Sequence, residues 1–188
     1  MQKLKCLLCG MNLNENNYEV NKYALISSNM KNDIIYCPFC GASSIYFSET
    51  EEVYTVNPKE LSENVLTILD HAVKLEVFNG DFYSEASKLA KNFEVKNMFR
   101  DLSKIEYVHA KIHKRLGGFK DFPTLTKINY GSYNSDEKLL KLASQREEHA
   151  VAYYSKYMKA VNNEVLSKIF KALSEVEKTH IKLTLSSI

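Results

Sequence analysis

The stretch LSKIEYVH at 102–109 returns 71 positions later as LSEVEKTH at 173–180, and this echo limits the possible fold more than any other feature of the chain. The same offset of 71 aligns Glu76 with Glu147, Tyr83 with Tyr154, Phe99 with Phe170, Glu106 with Glu177 and His109 with His180, without a gap. In each copy a Glu and a His interrupt an apolar stripe of helical spacing, running through Phe99, Leu102 and Leu116 in the first. A repeat of this kind means two copies of one supersecondary unit, each with a face it cannot bury alone.

The periodicity predicts four helices, at about 60–91, 94–116, 136–161 and 163–186. Short breaks join the first to the second and the third to the fourth, so each copy reads as an antiparallel hairpin. Asn57-Pro58-Lys59-Glu60 resembles a helix start, with Asn as cap and Pro in the first turn. FNGDF at 78–82 has the look of a turn, but its partner HAVAY at 149–153 is helical. The helix is therefore read through Gly80, at a cost of about 1 kcal/mol against Ala. Between the hairpins lie 18 residues, 117–134, rich in Gly, Pro and aromatics. Extended, such a connector spans up to about 60 Å, against about 33 Å for a helix of roughly 22 residues. One crossover of that reach predicts a mainly α chain with a small β part: a ferritin-like four-helix bundle with a long crossover.

Each hairpin offers one isolated Glu on its first helix and a Glu-x-x-His on its second. At i and i+3 the two side chains share a helix face and reach a common point. Side by side, the hairpins would gather Glu76, Glu106, Glu147, Glu177, His109 and His180 in one core layer. Four buried carboxylates without counter-charge are prohibitive. Two divalent cations neutralise them, and this donor set suits iron or manganese with open positions. Tyr83 and Tyr154 fall two turns after Glu76 and Glu147, nearly on the same face, and are candidate hydrogen-bond donors to those carboxylates; ordinary core tyrosines are the plainer alternative. His113, one turn past His109, is a candidate to line the end of the site, although a satisfied core or surface histidine is the plainer reading. Glu148 and His149 should point away, and His71 is incidental.

All four cysteines, Cys6, Cys9, Cys37 and Cys40, lie in the first 40 residues, as two C-x-x-C-G knuckles 27 residues apart. Adjacent pairs at this spacing indicate a closed tetrahedral site for iron or zinc before a disulfide. The knuckle amides can also hydrogen-bond the sulfurs, which would explain the glycine after each second cysteine. The remaining 148 residues carry none, which suggests a boundary between a four-cysteine domain at 1–50 and a bundle domain at 51–188. YEVNKYALIS, DIIYC and SIYFSE read as short strands of the first domain.

Charge is mixed, with a net +2 and no strongly basic run, which argues against a nucleic-acid partner. No apolar run is long enough for a membrane span, and MQKLKCLLCG does not read as a signal peptide. The expectation is a cytoplasmic protein with no membrane partner.

LEVFNGDFY and REEHAVAYY, each followed by Glu-x-x-His, resemble the di-iron domain of the rubrerythrin family over roughly 60–186. IYCPFCGASSIYF resembles the second knuckle of rubredoxin, although the stretch between the knuckles lacks the usual acidic turn. A rubredoxin-like module ahead of the bundle resembles the reverse-rubrerythrin type. The resemblance implies a di-iron centre on Glu76, Glu106, His109, Glu147, Glu177 and His180, and one Fe, or alternatively Zn, on the four cysteines. It further implies a peroxidase that reduces hydrogen peroxide, and by extension O2, to water. Electrons would come from an external donor such as a rubredoxin or an NAD(P)H-dependent reductase. The chain has no nucleotide-binding fingerprint of its own. Family members pair head to tail, so a homodimer is expected. Many rubrerythrins carry a further Glu where this chain has Ala150, which leaves the simpler six-ligand set. The alternative reading is a ferritin-like iron-binding or ferroxidase protein with a structural zinc on the cysteines.

Overall fold

The structure is a computed structural model that describes residues 4–187. Its main elements are α1 (Glu63–Leu89), α2 (Phe93–Gly117), α3 (Asp136–Tyr157) and α4 (Glu164–Leu185). Each helix starts where a side chain accepts an otherwise unpaired amide hydrogen: Ser62 from Val65, Asn92 from Glu94 and Val95, Ser135 from Lys138, and Asn163 from Leu166. Each cap contributes about 1 kcal/mol. The start expected at Asn57-Pro58 is only a single 3-10 turn, Pro58–Glu60, and the first long helix begins after Ser62. At the far end of α2, Gly118 turns the chain with φ of 65°.

As the repeat predicted, α1 packs along α2 and α3 along α4. Gly80 does lie inside α1, and the neighbouring helix supplies the reason. A Cβ there would sit 3.0 Å from the Tyr107 ring, and Ser103 Oγ donates to the Gly80 carbonyl at 2.8 Å. The close approach of α2 offsets the poor helix propensity of glycine. The crossover is fastened by Arg146, whose guanidinium lies 4.2 and 4.4 Å from the Phe78 and Phe82 ring centroids. Arg146 also donates to the Tyr130 hydroxyl at 2.6 Å, and Tyr130 packs edge-on against Phe82.

In the N-terminal module, β1 (Lys5–Cys6) pairs antiparallel with β2 (Phe47–Ser48). Of the expected strands only the end of SIYFSE is extended. YEVNKYALIS contains a 3-10 turn at Lys22–Ala24, and DIIYC makes isolated bridges only. The cause is Asn29. Its Oδ1 accepts from the Ile35 and Tyr36 amides at 3.0 Å, and its Nδ2 donates to the Tyr18 and Tyr36 carbonyls. A side chain that satisfies these backbone groups removes them from any ladder.

The module has too few residues for a core of its own. Leu8, Leu13, Ala42 and Tyr46 instead join Val65, Leu69, Leu116 and Leu173 in one apolar cluster. Arg115 on α2 donates to the Leu8 carbonyl at 2.6 Å, and the Tyr23 amide donates to Asp101 at 3.4 Å. Among the described residues, no helix is long and apolar enough to cross a membrane.

Candidate metal centres

The bundle brings all six sequence-selected carboxylates and imidazoles into one fully buried layer. Their donor atoms fall into two overlapping groups, each within 4.8 Å: Glu76, Glu106, His109 and Glu177, and Glu106, Glu147, Glu177 and His180. Glu106 and Glu177 belong to both. His109 Nδ1 stands 3.1 Å from Glu177 and 3.5 Å from Glu106, and His180 Nδ1 stands 2.8 Å from Glu177 and 3.2 Å from Glu106.

Despite this proximity the layer is unsatisfied. Both oxygens of Glu106 and of Glu177, one oxygen each of Glu76 and Glu147, and Nδ1 of both histidines are buried without a hydrogen-bond partner. Native interiors leave few such atoms. Eight of them aimed at one place form a shell for cations, and the donor set fits iron or manganese.

The electrostatics point the same way. Burial, with Glu177 and Glu106 nearby, pushes Glu76 well above the usual carboxylate range. Burial, with Glu106 and Glu177, pushes Glu147 up to about 8. Burial alone would depress both imidazoles, but the surrounding carboxylates outweigh it and raise His109 and His180. Glu106 is also opposed by burial, yet the closeness of both histidines holds it below the ordinary range. The layer draws in positive charge in whatever form is available.

The tyrosines cross between the hairpins. Tyr83 on α1 donates to Glu147 on α3, and Tyr154 on α3 donates to Glu76 on α1. Each phenol thus fixes one oxygen of a carboxylate and leaves the other facing the layer. Burial, and then the neighbouring carboxylate, raises both phenols above the usual tyrosine range, so both stay protonated.

The structure adds two contacts that the repeat did not reveal. His113 is fully buried, its Nε2 lies 2.8 Å from the Tyr154 hydroxyl, and burial pushes it down to about 3. With its hydroxyl hydrogen directed at Glu76, the Tyr154 oxygen accepts from His113 Nε2–H. The second contact is His109 Nε2, which lies 2.9 Å from the Cys40 carbonyl. A carbonyl only accepts, so Nε2 carries the hydrogen and Nδ1 is left to face the carboxylates. Glu148, His149 and His71 are exposed, as expected.

The four sulfurs also lie within 4.8 Å of one another, with Cys6–Cys40 and Cys9–Cys37 at 3.6 Å. That is far from a disulfide. Sulfurs at about 2.3 Å from a tetrahedral metal would stand about 3.8 Å apart. Hydrogen bonding from Cys37 and then Cys40 pulls Cys6 far below the usual thiol range, while Cys37 and Cys40 are pushed well above it, Cys37 chiefly by burial. Without a cation these thiols cannot all ionise. The glycine in each knuckle is explained by the turn itself: Gly10 and Gly41 have φ of 81° and 73°, and their amides bond the Cys6 and Cys37 carbonyls.

Four helices with one long crossover, around a buried layer of carboxylates and imidazoles able to hold metal, define a ferritin-like bundle. Residues 64–183 match the ferritin-like domain family, and the chain belongs to that family. No curated protein and no solved structure matched the chain.

Proposed function

We propose that the protein is a rubrerythrin-type, non-haem di-iron reductase of hydrogen peroxide, with O2 as a further acceptor. In this reading it binds iron on Glu76, Glu106, His109, Glu147, Glu177 and His180, and receives electrons through iron on Cys6, Cys9, Cys37 and Cys40. The observation that carries this reading is the buried hydrogen bond from His109 Nε2 to the Cys40 carbonyl. It joins the two candidate centres through one imidazole and one peptide group, within one chain. A storage protein has no use for that junction.

Reduction of hydrogen peroxide to two waters takes two electrons and two protons. Bound in the layer, two irons would supply an electron pair and open coordination positions, and iron on the cysteines would restore those electrons singly. The protein's own groups do the rest. Tyr83 and Tyr154 hold Glu147 and Glu76 in place by hydrogen bonds, and each keeps a proton beside the layer. His113 Nε2–H donates to the Tyr154 oxygen and so keeps the phenol directed at Glu76. Phe99 against Tyr83, and Phe170 against Tyr154, are fully buried and keep bulk water from the phenols. In this reading the electron path runs from the cysteine module to the layer of its own chain, through the Cys40–His109 contact.

Metal analysis with a visible spectrum, followed by anaerobic mixing of the reduced protein with peroxide, tests this reading. The expected result is iron in both sites and rapid oxidation of the thiolate-bound iron. Zinc on the cysteines with no peroxide turnover would overturn it in favour of the ferroxidase alternative.

A further inference from the structure

Three of the four cysteines are fully buried, whereas Cys9 is partly exposed. It opens into a groove of ≈ 220 Å³ bounded by Met11, Phe39, Lys111 and Arg115 among others. An adjoining groove of ≈ 470 Å³ shares Lys111 and Arg115 and adds Lys114, Phe119 and Phe122. No acidic residue lines either one. Among the described residues, Lys111, Lys114 and Arg115 have no carboxylate within ion-pair distance, although lysines elsewhere, such as Lys74, Lys88 and Lys141, do. Arg115 is held over the knuckle by its bonds to the Leu8 and Tyr54 carbonyls. Lys114 extends across the Phe122 ring, and Met11 and Phe122 are 43% and 41% exposed. An apolar floor ringed by unpaired cations thus surrounds the one thiol of the cluster that reaches the surface.

Building on the functional reading above, we infer that this surface is the docking site for a small acidic electron-carrier protein, with Cys9 as the point of electron entry. Charge complementarity favours such an occupant, steering it to the patch while the apolar floor makes the contact. The step is one outer-sphere electron: the carrier is oxidised by one electron and ferric iron on the cysteines is reduced to ferrous. No bond forms or breaks, and two encounters serve each peroxide. Entry at Cys9 and exit at the Cys40 carbonyl would give the module a direction, from surface to buried layer.

The test measures binding of an oxidised plant-type [2Fe–2S] ferredoxin, an acidic protein, by titration calorimetry. The protein carries zinc on its cysteines, so binding does not depend on redox chemistry. Affinity should fall steeply with salt, and Lys111→Glu with Lys114→Glu should weaken it about tenfold or more. Lys138→Glu with Lys141→Glu on α3 should leave it unchanged, and basic cytochrome c should not bind. Retained cysteine-bound metal and an unchanged circular dichroism spectrum establish that the variants are folded. Binding insensitive to the Lys111 and Lys114 changes, or self-association through this face, overturns the inference and leaves the peroxide reading standing. Failure of peroxide turnover with the binding pattern intact would instead remove the peroxide reading.

Discussion

Hairpins α1–α2 and α3–α4 agree at the positions whose side chains face the carboxylate layer, with Glu, Tyr, Glu and His at an offset of 71. One turn away they part. His113 on α2 backs Tyr154, while Thr184, at the equivalent place on α4, turns its hydroxyl to the carbonyls of its own helix. His109 Nε2 is tied to the Cys40 carbonyl, while His180 Nε2 is buried with no partner. Arg146 stacks on two rings, and Leu75 stands at its equivalent position. The charge balance of the layer requires both halves, so those residues are duplicated. Only one half meets the cysteine module through its histidine, and that is where the halves differ.

The largest expected effect separates shared from unshared residues. Glu106 and Glu177 each serve both donor groups. Glu106→Ala or Glu177→Ala should abolish binding of both bundle metals and leave the cysteine-bound metal in place. Glu76→Ala or Glu147→Ala should remove one bundle metal each. Metal content per chain decides this, and normal binding in the Glu106 and Glu177 variants would remove the ligand assignment.

A mixing experiment asks whether the two centres work within one chain. Cys37→Ser disables the module and Glu106→Ala disables the layer. With His109 tied to Cys40 of the same chain, refolding the two variants together should restore no peroxide turnover. Recovery on mixing would mean that a partner's module serves the layer, as in a head-to-tail pair.

The clustering of carboxylates and imidazoles was legible in the sequence because buried charge has to be matched, and the matching left Glu-x-x-His twice at a fixed interval. The helices were legible for a related reason: an apolar stripe at helical spacing survives any detail of packing. The strand expected at DIIYC was not, because one asparagine, Asn29, satisfies the backbone that would have built it. The Cys40–His109 junction had no signature either, since a backbone carbonyl is set by the docking of the module and not by its own side chain. His113 was visible as a histidine, but its partner lies 41 residues away on another helix.

The two knuckles offer a smaller contrast. Both glycines have a left-handed backbone, but at Gly41 a Cβ would sit 2.8 Å from Val176, whereas at Gly10 it would sit 3.2 Å from Val53. The left-handed backbone alone should cost either alanine about 1–2 kcal/mol, and the contact with Val176 should make Gly41→Ala the more costly of the two, by denaturant titration. Because Gly41 adjoins the carbonyl that holds His109, only its variant should also weaken metal binding in the bundle. Equal effects on that binding would detach the module from the layer.

The smallest effect concerns His113 and is read from a slope. In the folded protein it titrates at about 3, against an ordinary value of 6.5, because burial and the nearby His109 oppose its protonation. As pH falls below 6.5 the unfolded chain therefore takes up a proton that the folded chain refuses, and stability declines towards pH 3. Above 6.5 neither state is protonated and His113 contributes no pH dependence. Replacing it with the residue of the other half, His113→Thr, should lower stability near neutral pH by about 1–2 kcal/mol, through the lost bond to Tyr154 and the space left behind. The same change should flatten the slope of stability against pH between 6 and 4 by up to about one proton. Denaturant titrations of the two proteins across that range measure both. An unchanged slope would mean that His113 is charged or hydrated in the folded state, and the hydrogen-bonded chain from His113 through Tyr154 to Glu76 would fall with it.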